Sequence, residues 1–370
     1  MNERCVAVLG PRDEPTDAVE EYCRCLGGAL EAHGIQLEFL RVPWREIGWR
    51  PALQQLREKA RESGNTWFLL QYTTLAWSRR GFPLRALNVI QAIKDEGSRC
   101  AIVFHDPEPY PGNRLVDRLK RAIQLHTMRK ATRLADLTIL TVPREKIPWI
   151  PADSRNVIFI PVGANLPSPE QAWRQEKKGK DEMRTVAVFA ISGGALGDIE
   201  VNRIAEALRY ASGQTGPLRL AVLGRNSEVS GNKLRLQLAG SQVGVVIHGL
   251  LEAAEVVRKL GASDVLLFVR GPISSRRGSA IAGIACGLPV VACGGWETAS
   301  PITEAGVALL PPGSIDEYGP ALVRVLINDD YRASLRERSR HAQQKYFSWA
   351  VIAGEFASAL QKASEESPEN

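Results

Sequence analysis

GPISSRRGSAIAGIACGLPVVACGG (residues 271–295) sets two adjacent arginines, Arg276 and Arg277, against a run of small apolar residues. Just before it, VLLFV (265–269) is a short apolar run bounded by Gly and Pro, which reads as a buried strand. The stretch around SAIAGIAC reads as a helix that Gly287 terminates, and Pro289 opens the next strand, PVVAC (289–293). Strand, loop, helix and strand together make one unit of a parallel sheet. Ser274 and Ser275 are the expected N-caps of that helix. A helix starting there offers unpaired backbone N–H groups and the positive end of its dipole, and Gly278 lets a ligand approach the backbone closely. Arginine forks beside such a terminus suit a diphosphate. Solvated arginines, or arginines paired with carboxylates, are the alternative reading.

Outward from this unit the same pattern repeats. Toward the N-terminus lie CVAVLG (5–10), LEFLRV (37–42), WFLLQY (67–72), CAIVFH (100–105), LTILTV (137–142) and VIFIPVG (157–163), separated by helix-length amphipathic segments. After the polar stretch 166–183 the pattern restarts with TVAVFA (185–190), LRLAVLG (218–224), VVIHG (245–249), VLLFV, PVVAC and VALLPP (307–312). The expected fold is therefore α/β, with two doubly wound Rossmann-like domains facing a cleft at the carboxyl ends of their strands. The expected boundaries are 1–165, a linker at 166–183, a second domain at 184–345, and a crossover helix and tail at 346–370. The stretch from Asp316 to about Lys362 is expected to be helical throughout.

A chain of 370 residues, 44% hydrophobic and 24% charged, is long enough for two cores. No apolar run approaches the roughly 20 residues of a membrane-spanning helix, and a strand-like run begins at once, so a cytoplasmic location is expected. The six cysteines lie in packing positions without metal-ligand spacing and are expected to be reduced. A net charge of +6 favours anionic partners but is too dispersed to indicate nucleic acid. Gly10 is followed by PRDEP rather than a G-x-G-x-x-G turn, and no phosphate-binding G-x-x-x-x-G-K-[ST] occurs, which disfavours a nicotinamide site and a P-loop.

With the strand, the RR loop and the run Ala285-Cys286-Gly287-Leu288-Pro289-Val290-Val291-Ala292 in order, the second half resembles the donor-binding half of GT-B glycosyltransferases, specifically the large retaining family four. His105-Asp106 after the fourth strand, Pro161–Asn165 and the single Trp in Tyr346–Phe356 extend the resemblance over nearly the whole chain. It implies transfer of a sugar from a nucleotide-sugar donor to an acceptor glycan, lipid or small molecule, with retention at the anomeric carbon. No bound cofactor is expected. No D-x-D pair appears in a donor-side loop, so no metal is expected either. The family's two motif glutamates fall on Ser274 and Ala282, and its basic pair has no match in FAISGGALGD (189–198).

The resemblance makes Arg276 and Arg277, with Arg225, the candidate replacements for that positive charge, and His105 a candidate facing the donor sugar. Gly193, Gly194, His248, Gly249, Ser274, Ser275, Gly278 and Ser279 are the donor-binding candidates. Gly10, Tyr72, Thr73, Arg79 and Asp106 are those of the acceptor side. An epimerase of the same fold, or a silent binding protein, are the alternatives. The segment 112–136 carries seven Lys or Arg, with Leu115, Leu119, Ile123 and Leu134 as its apolar pattern. Such a helix either lies on an anionic membrane surface or covers the sheet as an ordinary solvated helix.

Overall fold

The computed structural model describes residues 3–151, 153–174 and 183–366. The chain divides into two compact units, Met1–Pro161 with Trp349–Asn370, and Val162–Ser348. The first unit runs β1 (Glu3–Leu9), α1 (Ala18–Leu30), β2 (Ile35–Arg41), α2 (Trp49–Ser63), β3 (Trp67–Tyr72), α3 (Arg85–Asp95), β4 (Arg99–Phe104), α4 (Leu115–Leu134), β5 (Leu137–Leu140) and β6 (Val157–Phe159). Its strands form one parallel sheet in the order β2-β1-β3-β4-β5-β6. Both faces are covered by helices, so the central strands carry continuous apolar runs, as in the fully buried Trp67–Leu70.

The second unit runs β7 (Arg184–Phe189), α5 (Gly194–Thr215), β8 (Leu218–Leu223), α6 (Ser227–Gln237), β9 (Val243–Gly249), α7 (Ala253–Gly261), β10 (Val265–Phe268), α8 (Gly278–Ala285), β11 (Val290–Cys293), β12 (Val307–Leu310), α9 (Tyr318–Ile327) and α10 (Asp329–Ala342). Its parallel sheet has the order β12-β11-β10-β7-β8-β9. The chain leaves β7 for β8 and β9 on one side, then returns past β7 to β10. The loops after β7 and β10 therefore part at the carboxyl end of the sheet, which opens a crevice between neighbouring strands. The small residues of α8 have a packing reason: a Cβ on Gly283 would lie 2.5 Å from Leu266 Cδ2.

The tail is not one helical stretch. Asn328 leaves the helical conformation, and its side chain accepts from the Tyr331 N–H at 2.9 Å, ending α9 and capping α10. A π turn over Gln343–Phe347 and extended Ser348 make the second break. The last helix, α11 (Trp349–Glu366), packs against α1 in the first unit, and Trp67 Nε1 donates to Ser364 Oγ at 3.0 Å. Of the residues expected as linker, 175–182 lie outside the described residues. Leu166 and Ala172 are buried, and Trp173 Nε1 donates to Ala285 O at 2.8 Å.

The basic segment 112–136 forms α4, but its buried side differs from the expected apolar pattern. Gln124, Thr127, Met128 and Ala131 face inward, while Leu115 and Leu119 are exposed. Gln124 holds that orientation by donating to Gly81 O at 2.8 Å and accepting from the Tyr110 N–H at 2.7 Å. All six cysteines are free, and burial pushes the Cys5 and Cys286 thiols up to about 12.

Candidate functional site

At the β7 side of the crevice, Gly193 precedes α5, whose first residue Gly194 adopts φ +60°. This loop is tightly held. Asn226 Nδ2 donates to Ile191 O at 3.1 Å, and the buried Glu200 carboxylate accepts from the Ser192 N–H at 2.8 Å. A Cβ at Gly197 would come within 2.1 Å of Ser192 O, so only glycine fits there. Gly193 and Gly194 are both exposed at this helix mouth. Sequence reasoning missed Glu200, Asn226 and Gly197. Its one usable signal was the glycine three residues into a helix, where no turn calls for it.

At the β10 side, the N-terminus of α8 is shifted from the expected position. The helix starts at Gly278 and its N-cap is Arg277. Ser274 and Ser275 are buried in the preceding turn instead of capping, and Arg277 N–H donates to Ser274 O at 3.1 Å. The Ser275 carbonyl accepts from Val162 N–H at 3.1 Å. Gly278 is exposed and Ser279 half-buried at the helix mouth.

The two arginines have different surroundings. Arg276 Nε donates to both oxygens of Glu297, at 3.0 and 2.8 Å, with the two side chains only 8% and 4% exposed. This pair joins the loop after β10 to the loop after β11. Thr298 adds to the latch by donating to Ile273 O at 2.6 Å and accepting from Gly295 N–H at 2.9 Å. Arg276, expected as a diphosphate contact, is thus part of a buried ion pair with Glu297, a residue sequence reasoning did not single out. Arg277 is half-buried at the N-cap position.

Arg225 is half-buried in the loop after β8. Gly249 ends β9 with φ +76°. Next to it, burial and the cations Lys259 and Arg258 hold the His248 imidazole below its ordinary range, with Glu255 opposing. His248 is therefore neutral at pH 7.

In the first unit, a Cβ at Gly10 would lie 2.7 Å from Ala76 O. The loop after β3 folds over the end of β1, so Gly10 serves a close backbone approach. Tyr72 is fully buried and packs edge-on against Phe104 at 4.9 Å, which removes it from the expected acceptor surface. Thr73 is half-buried and its Oγ1 accepts from Ala76 N–H at 3.3 Å. Asp106 is half-buried, and Arg79 is exposed, with its guanidinium 5.8 Å from the Trp44 ring centroid.

His105 ends up as a neutral hydrogen-bond donor. Its Nε2 lies 2.8 Å from Gln71 Oε1, whose amide nitrogen donates to Leu69 O, which assigns the proton to Nε2. Tyr22 stands edge-on at 4.9 Å. Desolvation lowers the His105 pKa to about 4, with Asp17 acting weakly in the other direction. A folded-state pKa below the unfolded value near 6.5 contributes stability that is complete above 6.5 and is lost as pH falls toward 4. The loss should be on the order of 3 kcal/mol, and His105→Asn should remove most of it. Denaturation of both proteins at pH 7.5 and 4.5 checks this: equal acid destabilisation of parent and variant would contradict it.

Among the described residues no group of three or more His, Cys, Asp or Glu side chains is placed to hold a metal ion, and no helix is long and apolar enough to cross a membrane.

No protein-family model matches the chain, and no curated protein does. Solved structures are similar along nearly its full length. Anabaena HepE in complex with UDP and glucose is 17% identical, with 97% of this chain and 100% of that one covered and a TM-score of 0.64. Sucrose-phosphate synthase from Thermosynechococcus elongatus is 17% identical over 99% and 100%, with a TM-score of 0.68. The UDP-forming α,α-trehalose-phosphate synthase from Burkholderia xenovorans is 12% identical over 97% and 100%, with a TM-score of 0.63. The two parallel six-stranded sheets, each wound with helices, and this full-length similarity give the chain the GT-B fold.

Proposed function

We propose that the protein transfers a glycosyl group from a nucleotide-sugar donor to an acceptor, with retention at the anomeric carbon and without a metal ion. The observation that carries this reading is the crevice of the second unit. Two helix N-termini, at Gly194 and Gly278, lie at the carboxyl ends of the adjacent strands β7 and β10, and Arg277 occupies the N-cap position of the second. Backbone N–H groups, helix dipoles and a guanidinium are what a departing nucleoside diphosphate requires. The similarity to HepE, solved with UDP and glucose, supports a donor of that class.

In this reading Arg277 balances the charge that develops on the diphosphate as the glycosidic bond breaks. Arg276 and Glu297 hold the loop that presents it. Gly193, Gly194, Gly278 and Ser279 supply close approach and backbone donors, and Arg225 and the β9 end at His248 and Gly249 border the nucleotide. On the acceptor side, Leu115, Val116 and Leu119 are exposed at the start of the basic helix α4, which suits peripheral contact with an anionic membrane carrying a lipid-linked acceptor.

Saturating UDP, GDP and ADP should be compared by thermal denaturation. The matching nucleotide is expected to add about 2.7 kcal/mol at a hundredfold excess over its Kd, and no shift with any of them would remove the site. A panel of sugar nucleotides, assayed with and without acceptor and with EDTA, then tests the reaction. Transfer that survives EDTA with an unchanged anomer is expected. Donor turnover with no acceptor product would indicate an epimerase or hydrolase, and binding without turnover a silent protein.

A further inference from the structure

The strongest site outside the proposed donor crevice is in the first unit, where the loops after β2 and β3 meet the starts of α2 and α3. They border an open cavity of about 580 Å³ lined by Trp44, Trp49, Arg45, Arg79, Arg80 and Arg85. Three of the guanidiniums gather on one ring: those of Arg85, Arg45 and Arg79 lie 4.1, 5.2 and 5.8 Å from the Trp44 centroid. Arg85 also lies 5.4 Å from the Trp49 ring. Trp44 is itself fixed, with Nε1 donating to Ala76 O at 2.9 Å. Arg45 donates to Leu75 O at 2.8 Å, and Arg79 to Arg45 O at 3.4 Å.

None of the four arginines forms an ion pair with a described carboxylate, Glu46 beside Arg45 included. Helix ends add to the same charge. α2 begins at Trp49 and α3 at Arg85, neither has a side-chain cap, and neither has an acidic residue in its first turn. Cation–π contacts of about 0.5–1 kcal/mol at exposed sites hold such cations in place but do not neutralise them. Four guanidiniums and two positive dipole ends around one cavity lack a counter-anion, and a polyvalent oxyanion would supply it with bidentate geometry.

We infer that this cavity binds the phosphate group of a small organic ligand. Phosphate matches the site better than a carboxylate, because its greater charge and three acceptor oxygens can engage several forks at once. The cavity falls within the roughly 300–1,000 Å³ range of small-molecule sites, so the phosphate is a handle on a larger molecule. Exposed Leu75 and Leu84 flank the loops, which leaves two sources for it, a sugar phosphate or the phosphate of an isoprenoid carrier. The inference does not rest on the glycosyl-transfer reading, since the donor crevice belongs to the other unit.

Calorimetric titration of the full chain with glucose 6-phosphate, farnesyl phosphate and, as control, glucose tests it. At least one phosphorylated probe should bind saturably and glucose should not, and affinity should fall steeply with salt. Arg85→Gln should weaken binding at least tenfold. Because Arg85 packs on both tryptophans, the exposed pair Arg79→Gln/Arg80→Gln is the second variant. It should weaken binding by a similar factor while keeping the melting temperature equal to or above the parent's, since it relieves repulsion between like charges. Preference for one phosphorylated probe identifies the source. Absence of saturable binding by both probes, or binding unchanged in both variants, overturns the inference, and neither result would alter the nucleotide-dependent thermal shift.

Discussion

Arg276→Ala is expected to destabilise the second unit by about 3–5 kcal/mol, the range seen when one member of a buried ion pair is removed and its partner is left desolvated. The pair is almost excluded from solvent. Glu297→Ala should also destabilise, because it removes both carboxylate oxygens that the buried Arg276 Nε bonds. The double variant Arg276→Met/Glu297→Leu should recover much of the loss, since apolar replacement of both partners removes the desolvation cost along with the attraction. Denaturant unfolding of the parent, both single variants and the double variant gives the coupling directly. If each single variant loses less than about 1 kcal/mol, the pair behaves as a surface contact, and the loops after β10 and β11 are held by Thr298 and packing instead.

Arg277→Ala should lose turnover beyond any loss of stability, by roughly 30- to 1,000-fold, corresponding to about 2–4 kcal/mol of transition-state stabilisation. The difference follows from position. Arg277 is not yet helical, with φ −89° and ψ 80°, and Arg276 precedes it, so the loop rather than the helix sets the two directions. Arg276 is directed into the protein toward Glu297, while Arg277 occupies the N-cap, beside the exposed Gly278. The measurement is kcat with the nucleotide-sugar that stabilises the protein most, alongside unfolding of the same variant. A variant that keeps parental turnover would remove Arg277 from the leaving-group site. A variant that loses turnover only in proportion to lost stability would give Arg277 a structural role only. Arg276→Ala is the control, because its activity loss should follow its unfolding.

The twelve strands among the described residues occur where the sequence places apolar, β-branched runs, within a few residues at each end. Such a run is a local property: a strand covered on both faces is mostly apolar, and that is visible in consecutive residues such as Trp67–Leu70. The small-residue helix before Gly287 was legible for the same reason, since close packing on β10 permits little else. What the local pattern could not decide is which partner each polar side chain meets. Arg276 and Glu297 are 21 positions apart, and His105 and Gln71 are 34 apart. Both pairs exist only because neighbouring parallel strands bring the ends of distant loops together.

Tyr72 shows the same division at a single residue. Its position at a strand end, next to Thr73, suggested a surface role, and the local sequence supports that as well as it supports burial. Packing against Phe104 on the adjacent strand decided for the core. The arginine cavity extends this to a whole site. Its residues come from 44–49 and 78–85, two stretches that look like ordinary solvated loops when read singly. The sequence by itself determined the strands, the helices and their alternation, because these depend on neighbours a few residues away. The tertiary structure alone decided which charges are paired, which are buried and which are left facing a cavity, because desolvation and Coulomb energies depend on distances in space that sequence separation does not set.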